Sequence, residues 1–549
     1  MRHSYRVLVG GAHEDGAGWV HWVRVGDALE APYDMAVLKA ALDTGEAGPG
    51  AAAHPAVVGR VALGTADQRH RAVAAARAAQ PGWAAAPATE RLGLVTAFDR
   101  ALHARQAELV ELLVAEGHPV RVARFEVATM LAAVHPCTVA DAAAQLARRT
   151  TVNGRRVDLV RKPDGVVGLV PARNAAAATL VFSAVMALAA GNAVVVDLPP
   201  SGPLSAAFIC HELLAPLLGG HDGVLSAVCS PVRDVLPEWL ASPHIDDIYY
   251  FGPTSRGLDL AADCIRRGKK PILELSANDT VVIWQDAPLD LAVQALLEAF
   301  YASGQICLTP NRAVLHPQIA DQVIDRLRQQ IDRLPVGRPE RDDVILSPVV
   351  RRGEFTDVVA QALNAGATLV TGGQFVDVRG ESRARGPFIR PALLRVDGLS
   401  AARSLRAVHD ETFFPLLTTV VASSGRIDDV IAFLNDNRHG LRNSLWATDP
   451  DIISTFRTEV RNAGTLKIND SHIGPIPTLP IDGGTGHTSG AIGEASLPML
   501  RTSHLQGIST PLDIPDATLF DHSAAVSEDH PTAHLHPGPS ASSAGTFRS

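Results

Sequence analysis

The sequence predicts an α/β protein built on mostly parallel sheets, and three observations carry that reading. From Gly165 onward, short apolar runs alternate regularly with helix-length segments, the pattern of successive strand–helix units with helices on both faces of a sheet. The 549 residues exceed what one core usually holds, so two or three domains are expected. An apolar content of 46 % is that of an ordinary globular chain.

Residues 1–60 are read as an N-terminal extension, with strand-like pieces at Tyr5–Val9 and Trp19–Val25 and a loop over Gly45–His54. Thr65 and Gln68 form a capping-box signature for a helix through Gln80. Thr89-Glu90 opens a second helix, with Leu92, Val95, Leu102, Leu109 and Leu112 at helical spacing, that stops at Gly117-His118-Pro119. Asn153-Gly154 inside 149–162 is a hairpin signal. Strands then follow at Gly165–Pro171, Ala193–Leu198, Gly223–Ser230, Asp247–Gly252 and Pro271–Leu275. Helices fall over Asn174–Ala190, from Pro203 and from Ser255. This first α/β unit spans 61–273, and a second spans 274–470. The second has strands Thr280–Trp284, Arg312–His316 and Thr418–Ser423 and helices Leu289–Tyr301, Ala320–Leu334 and Ile427–Asn435. Residues 471–510 return through a Gly/Pro-rich stretch to a strand at Leu500–Ile508, and 511–549 has the composition of a disordered tail.

A net charge of -9, with acids and bases mixed along the chain, argues against a nucleic-acid surface. Five scattered cysteines (Cys137, Cys210, Cys229, Cys264 and Cys307) lack a metal-ligand spacing and read as reduced thiols of a cytoplasmic protein. No secretory signal is evident at the N-terminus. The longest apolar run, Ala175–Ala190, falls short of the ~20 residues a membrane span needs, so it is read as a buried helix.

Two side chains stand out chemically. Glu274 lies in an apolar run, where a lone carboxylate is costly without a role. Cys307 sits among Gly and small residues after a helix-like segment, where a substrate can approach it; a lone cysteine is otherwise a small buried hydrophobe. Asn174, at a strand-to-helix junction, reads equally as a helix N-cap. Gly252 and Gly257 flank a helix N-terminus able to receive a pyrophosphate, though a plain turn explains them as well.

The run Glu274-Leu275-Ser276-Ala277-Asn278-Asp279, the QDAPLDLAV of 285–293, Gly304-Gln305-Ile306-Cys307, and the ERL and GHP elements at 90–92 and 117–119 resemble the aldehyde dehydrogenase superfamily in order and separation. The resemblance covers roughly residues 60 to 510. It implies a Rossmann-like dinucleotide domain, an α/β catalytic domain and a small β element that pairs subunits into a homodimer or homotetramer. It implies Cys307 as nucleophile, Glu274 as the base for a hydrolytic water, and Asn174 as the amide that supports the oxyanion. Asp197, Gly252, Gly257, Leu275, Glu411 and Phe413 fall at cofactor-contact positions; taken alone, Glu411 and Phe413 read as a helical-turn Glu and a core Phe.

Departures cluster on the cofactor side. Where the family has Lys-Pro-x-Glu, this chain has Asp197-Leu198-Pro199-Pro200, and Asp197 would repel a 2′-phosphate, favouring NAD over NADP. A family Ser is lost at Phe251-Gly252-Pro253, and Phe414 replaces a small Gly. Arg173 replaces a Trp, where it is expected to lower the thiol pKa. The C-terminal double glycine is lengthened to Gly483-Gly484-Thr485-Gly486-His487. The implied activity is NAD(P)-dependent oxidation of a small-molecule aldehyde to an acid, with NAD the expected cofactor and NADP less so. The alternatives are a CoA-acylating or reductive member, or a non-catalytic scaffold of the same fold.

Overall fold

The computed structural model describes residues 3–48, 50–490 and 497–513. Its first sheet is built on β1 (His3–Tyr5), β2 (Val57–Leu63), β3 (Val166–Val170), β4 (Ala193–Leu198), β5 (Leu225–Cys229), β6 (Asp247–Phe251) and β7 (Lys270–Glu274). The spatial order is β1-β2-β5-β4-β3-β6-β7, with all of these neighbours parallel. Counted from β3, the five later strands lie third, second, first, fourth, fifth, which is the doubly wound order. The winding reverses between β3 and β6, and in such sheets ligands lie outside the strand C-termini at that point.

Strands within the region read as an N-terminal extension belong to this sheet. β1 pairs parallel with β2, and Gly18–Val23 pairs antiparallel with β2 on an overlapping register. Helices Val25–Glu30 and Pro32–Thr44 follow; the second buries only Leu42, so its Ala-rich sequence gave no periodic signal. Helix α1 (Ala66–Ala85) opens with the expected reciprocal cap, Gln68 N donating to Thr65 Oγ1 at 3.1 Å and Thr65 N to Gln68 Oε1 at 3.0 Å. It runs past Pro81 because buried Trp83 anchors its end, donating Nε1–H to the Leu188 carbonyl at 2.7 Å. Helix α2 (Ala88–Ala115) turns its Leu94, Phe98, Leu102 and Leu109 face into the same core.

Ala176–Ala190 is a shorter apolar helix, buried as expected; among the described residues the helical stretch long and apolar enough by composition to cross a membrane is Val120–Ala144. It breaks at His135-Pro136 into two helices whose Val127, Met130, Val134 and Val139 join the first core. The 176–190 helix carries a π-type turn over Val181–Val185. Thr179 and Ser183 hydroxyls donate back to the carbonyls of Ala175 and Thr179 at 2.9 and 2.5 Å, which competes with the backbone ladder there.

After β6 comes α3 (Thr254–Arg266), and after β7 the chain enters a second sheet. Its strands are β8 (Asp279–Ile283), β9 (Pro310–Leu315), β10 (Thr368–Thr371), β11 (Ala392–Asp397), β12 (Leu416–Val421), β13 (Arg442–Trp446) and β14 (Thr465–Ile468). The order is β10-β11-β12-β9-β8-β13-β14, antiparallel only between β10 and β11. Separately, Ala147–Val152 and Arg155–Pro163 pair as a hairpin, with Asn153 and Gly154 at φ +48° and +69°, as its two-residue turn requires. Ser503–Pro511 adds a third strand beside Arg155–Pro163. The tail expected from 511 lies, from residue 514 onward, outside the described residues.

Function is positioned by which strand ends carry chemistry. Asn174, Asp197, Gly252 and Glu274 all stand at C-terminal ends of first-sheet strands. Cys307, Glu411 and Phe413 precede the N-terminal ends of β9 and β12 in the second.

Candidate active site

Helix α4 (Leu289–Leu297) ends earlier than the Tyr301 expected from sequence. After a tight turn, Ala302, Ser303 and Gly304 all take left-handed backbone, at φ +49°, +59° and +67°. Two of them carry a Cβ, and that conformation costs each about 1–2 kcal/mol. Local bonds offset the cost. Ser303 Oγ donates to Ser347 O at 2.7 Å and accepts from Ser347 N at 3.0 Å. Gln305 donates Nε2–H to Pro348 O at 2.9 Å and accepts at Oε1 from Val350 N at 3.1 Å. The reversal delivers Cys307 half-buried on the turn before β9, among Ala277, Leu308, Leu441, Ile473 and Ile481.

Cys307 Sγ lies 3.5 Å from Glu274 Oε1 at the end of β7. The other carboxylate oxygen, Oε2, accepts from Gly483 N at 3.1 Å. Burial, and then the charge of Asp482, push the Glu274 carboxyl well above the usual carboxylate range. Burial, reinforced by Glu274, Asp482, Glu411 and Asp279, likewise holds the Cys307 thiol well above its ordinary value. The groups that raise the thiol together with burial are all carboxyls. Arg173 is exposed and is not among them, so the expectation that it lowers the thiol pKa is corrected.

Asn174 reaches this loop, donating Nδ2–H to the Gln305 carbonyl at 3.0 Å, two residues before the thiol. It is not the N-cap of the following helix, a position taken by Ala175. Glu411 accepts from Ala277 N at 2.9 Å, which ties β12's approach to the loop after Glu274; burial raises its carboxyl. The Phe413 ring is half-buried, with the Arg351 guanidinium 5.4 Å from its centroid.

At the winding reversal, Gly252 N donates to the Glu274 carbonyl at 3.1 Å, and a Cβ on Gly252 would fall 2.3 Å from the Tyr250 hydroxyl oxygen. Gly257 and Leu275 are a packing pair: a Cβ at Gly257 would meet Leu275 Cδ2 at 2.1 Å, so the glycine lets α3 lie close on the sheet. Asp197 is buried at the end of β4, and burial raises its carboxyl. Its Oδ1 and the Thr254 Oγ1 of α3's first turn are buried polar atoms without a protein partner among the described residues. The Thr254 hydroxyl, at the helix N-terminus next to the reversal point, fits a dinucleotide phosphate, and the Asp197 oxygen, at the end of the strand beside β3, fits a hydroxyl.

Asp482 was not singled out in the sequence. Its carboxyl, raised to about 7 by burial and partly relieved by the Glu274 hydrogen bond and Arg442, lies in the Gly/Pro stretch, which has no periodicity to read. Its place directly before Gly483-Gly484 was the available signal.

The model of the aldehyde dehydrogenase family matches residues 51–497, well over half of the chain. Lactaldehyde dehydrogenase of Escherichia coli (strain K12) is 28 % identical over 414 residues, covering 72 % of this chain and 81 % of the relative. The NADP(+) succinate-semialdehyde dehydrogenase GabD of the same organism is 28 % identical over 417 residues, covering 74 % and 82 %. An NAD-dependent aldehyde dehydrogenase structure from Sinorhizobium meliloti superposes with a TM-score of 0.78 at 22 % identity, covering 94 % of this chain and 96 % of that one. A 1-pyrroline-5-carboxylate dehydrogenase from Thermus, with bound NAD, gives 0.77 at 20 %, covering 93 % of each. The chain belongs to the aldehyde dehydrogenase family of NAD(P)-dependent oxidoreductases.

Proposed function

We propose that this chain oxidises an aldehyde to a carboxylic acid through a thioester on Cys307. The observation that carries the reading is the 3.5 Å approach of Cys307 Sγ to Glu274 Oε1 between the facing strand ends. Glu274 is placed to take the thiol proton, freeing the sulfur to bond to the aldehyde carbon. Asn174 is the donor nearest in sequence logic to the resulting alkoxide, once its amide leaves the Gln305 carbonyl. A bound nicotinamide supplies the hydride acceptor. Glu274 passes the thiol proton, the net proton of the oxidation, to solvent and then serves as base toward the water that cleaves the thioester. Glu411 and Phe413 are assigned to the nicotinamide end of the cofactor, and Asp197 with the N-terminus of α3 to the ribose and phosphates.

The buried Asp197 carboxyl favours NAD, since its unpartnered oxygen suits a ribose hydroxyl and it offers a 2′-phosphate no positive charge. The relatives' names range from lactaldehyde to vanillin dehydrogenase at similar identity, so the substrate is read from the pocket. Its apolar walls, including Phe125, Tyr301 and Ile306, suit an aldehyde with a hydrocarbon or aromatic body. The exposed three-stranded sheet is assigned to subunit pairing in a cytoplasmic homodimer or homotetramer.

Calorimetric titration with NAD and then NADP, followed by an aldehyde panel with the cofactor that binds, tests the reading. Saturable NAD binding and aldehyde-dependent NADH formation lost in Cys307→Ala is the expected result. Folded protein that binds neither nucleotide overturns it, and turnover requiring CoA moves the acyl acceptor from water to a thiol.

A further inference from the structure

Asp482 has no part in the reaction as described, yet its side chain is 5 % exposed and hydrogen-bonds the carboxyl of Glu274, itself 3 % exposed. The backbone builds this contact: Gly483 N, on the residue next to Asp482, is tied to Glu274 Oε2 at 3.1 Å. Arg442, the cation whose charge reaches Asp482, donates instead to the carbonyls of His472 and Ile481 at 3.0 and 2.9 Å. Among the described residues, the Cys307 thiol and, from β6, the fully buried Tyr249, which itself feels Arg501, also face the pair. Glu411 and Asp279 add negative field at Cys307. Two touching carboxyls in a water-poor site do not both ionise.

We propose that Glu274 and Asp482 hold a single proton between them, and that Asp482, acting through Glu274, is a positioning residue that sets when the base can accept a proton from the hydrolytic water. This rests on the reading of Glu274 as that base. In deacylation the water oxygen bonds to the thioester carbon, the carbon–sulfur bond breaks, and the water's proton passes to the carboxyl pair. The pair returns a proton to the Cys307 sulfur, so no oxidant or further reactant is needed. A singly protonated pair has room for that proton; a doubly protonated one does not.

The test is hydrolysis of 4-nitrophenyl acetate, an activated ester that acylates a thiol without a cofactor. Burst and steady-state phases are followed across pH in wild type, Asp482→Asn, Asp482→Glu and Glu274→Gln. In wild type the proton shared with Asp482 stabilises the accepting, singly protonated form; with that partner replaced, Glu274 ionises less easily, so the deacylation limb in Asp482→Asn is expected to move to higher pH by about one unit or more, a tenfold shift in proton concentration. Asp482→Glu restores the wild-type midpoint. The infrared difference spectrum of Asp482→Asn, taken above its own deacylation midpoint, should lack a protonated-carboxyl band that wild type shows at that pH. An unchanged midpoint, or retention of that band, in a variant with wild-type urea stability overturns the proposal. Asp482→Ser provides a second neutral variant if the Asn form does not fold. Glu274→Gln should acylate but not turn over; if it turns over like wild type, the base assignment itself fails, an outcome distinct from failure of the pair.

Discussion

Gly304 is the position where the active-site loop has least room, and Gly304→Ala tests whether the left-handed reversal sets the thiol. A Cβ there would lie 2.7 Å from the Phe414 carbonyl oxygen and 3.1 Å from that of Ala299. Both are backbone atoms, so no rotamer relieves the overlap. The residue is also held at φ +67°, which costs a non-glycine residue about 1–2 kcal/mol. Overpacking against fixed backbone adds roughly 1–3 kcal/mol, for a total of about 2–5 kcal/mol. The strain falls where function is assembled, since Gly304 precedes Gln305, the partner of Asn174, and Phe414 follows Phe413. Gly366→Ala is the control: its φ is +93°, but nothing lies within 4 Å of the added Cβ. Urea unfolding should give the control the conformational cost alone, and Gly304→Ala a larger loss with unchanged m. The rate of the 4-nitrophenyl acetate burst should fall at least about tenfold in Gly304→Ala, because ångström-scale displacement of a nucleophile costs up to about a hundredfold. It should be unaffected in the control. Equal stability losses and equal burst rates in the two variants would refute the reasoning.

Asn174→Ala removes the 3.0 Å bond to Gln305 and should cost about 1 kcal/mol in urea unfolding, while kcat for aldehyde oxidation falls by about a hundredfold or more. His439 is pushed down to about 4 by burial and by His487, so it stays neutral in the native state where an unfolded His takes up a proton. Native stability should thus fall by about 2 kcal/mol between roughly pH 7 and pH 5, and His439→Gln should flatten that slope in pH-dependent urea melts. Iodoacetamide labelling read by mass spectrometry should spare the buried Cys210, Cys229 and Cys264 and modify the exposed Cys137. The Cys307 rate should keep rising with pH beyond the ordinary thiol range; a plateau near neutrality would contradict the negative surroundings of the sulfur.

What was legible in the sequence follows the physics that produced each element. The strands around β3 to β7 are apolar because helices cover both faces, so their composition announces them, and Ala193–Leu198 is found at the expected bounds. β13 and β14 were missed for the opposite reason. Arg442, Asn443 and Ser444 are polar residues buried by their hydrogen bonds, Ser444 Oγ meeting His472 Nδ1 at 2.6 Å and Asn443 donating to Asn462 O at 3.1 Å. Hydropathy cannot report a partner that lies elsewhere in the chain. The same limit governs the site. Cys307 and Glu274 stand out because each is out of place in its local run, a reactive group among small or apolar neighbours. Asp482 is out of place only in relation to Glu274, a contact across more than two hundred residues that a Gly/Pro loop makes without any local signature. The consequence is chemical: from sequence the base is a lone carboxylate that burial makes costly, whereas in the fold it is half of a hydrogen-bonded carboxyl pair. On the proposed reading, a single proton makes that pair tolerable in an apolar site, and it is also what a hydrolytic base would have to exchange.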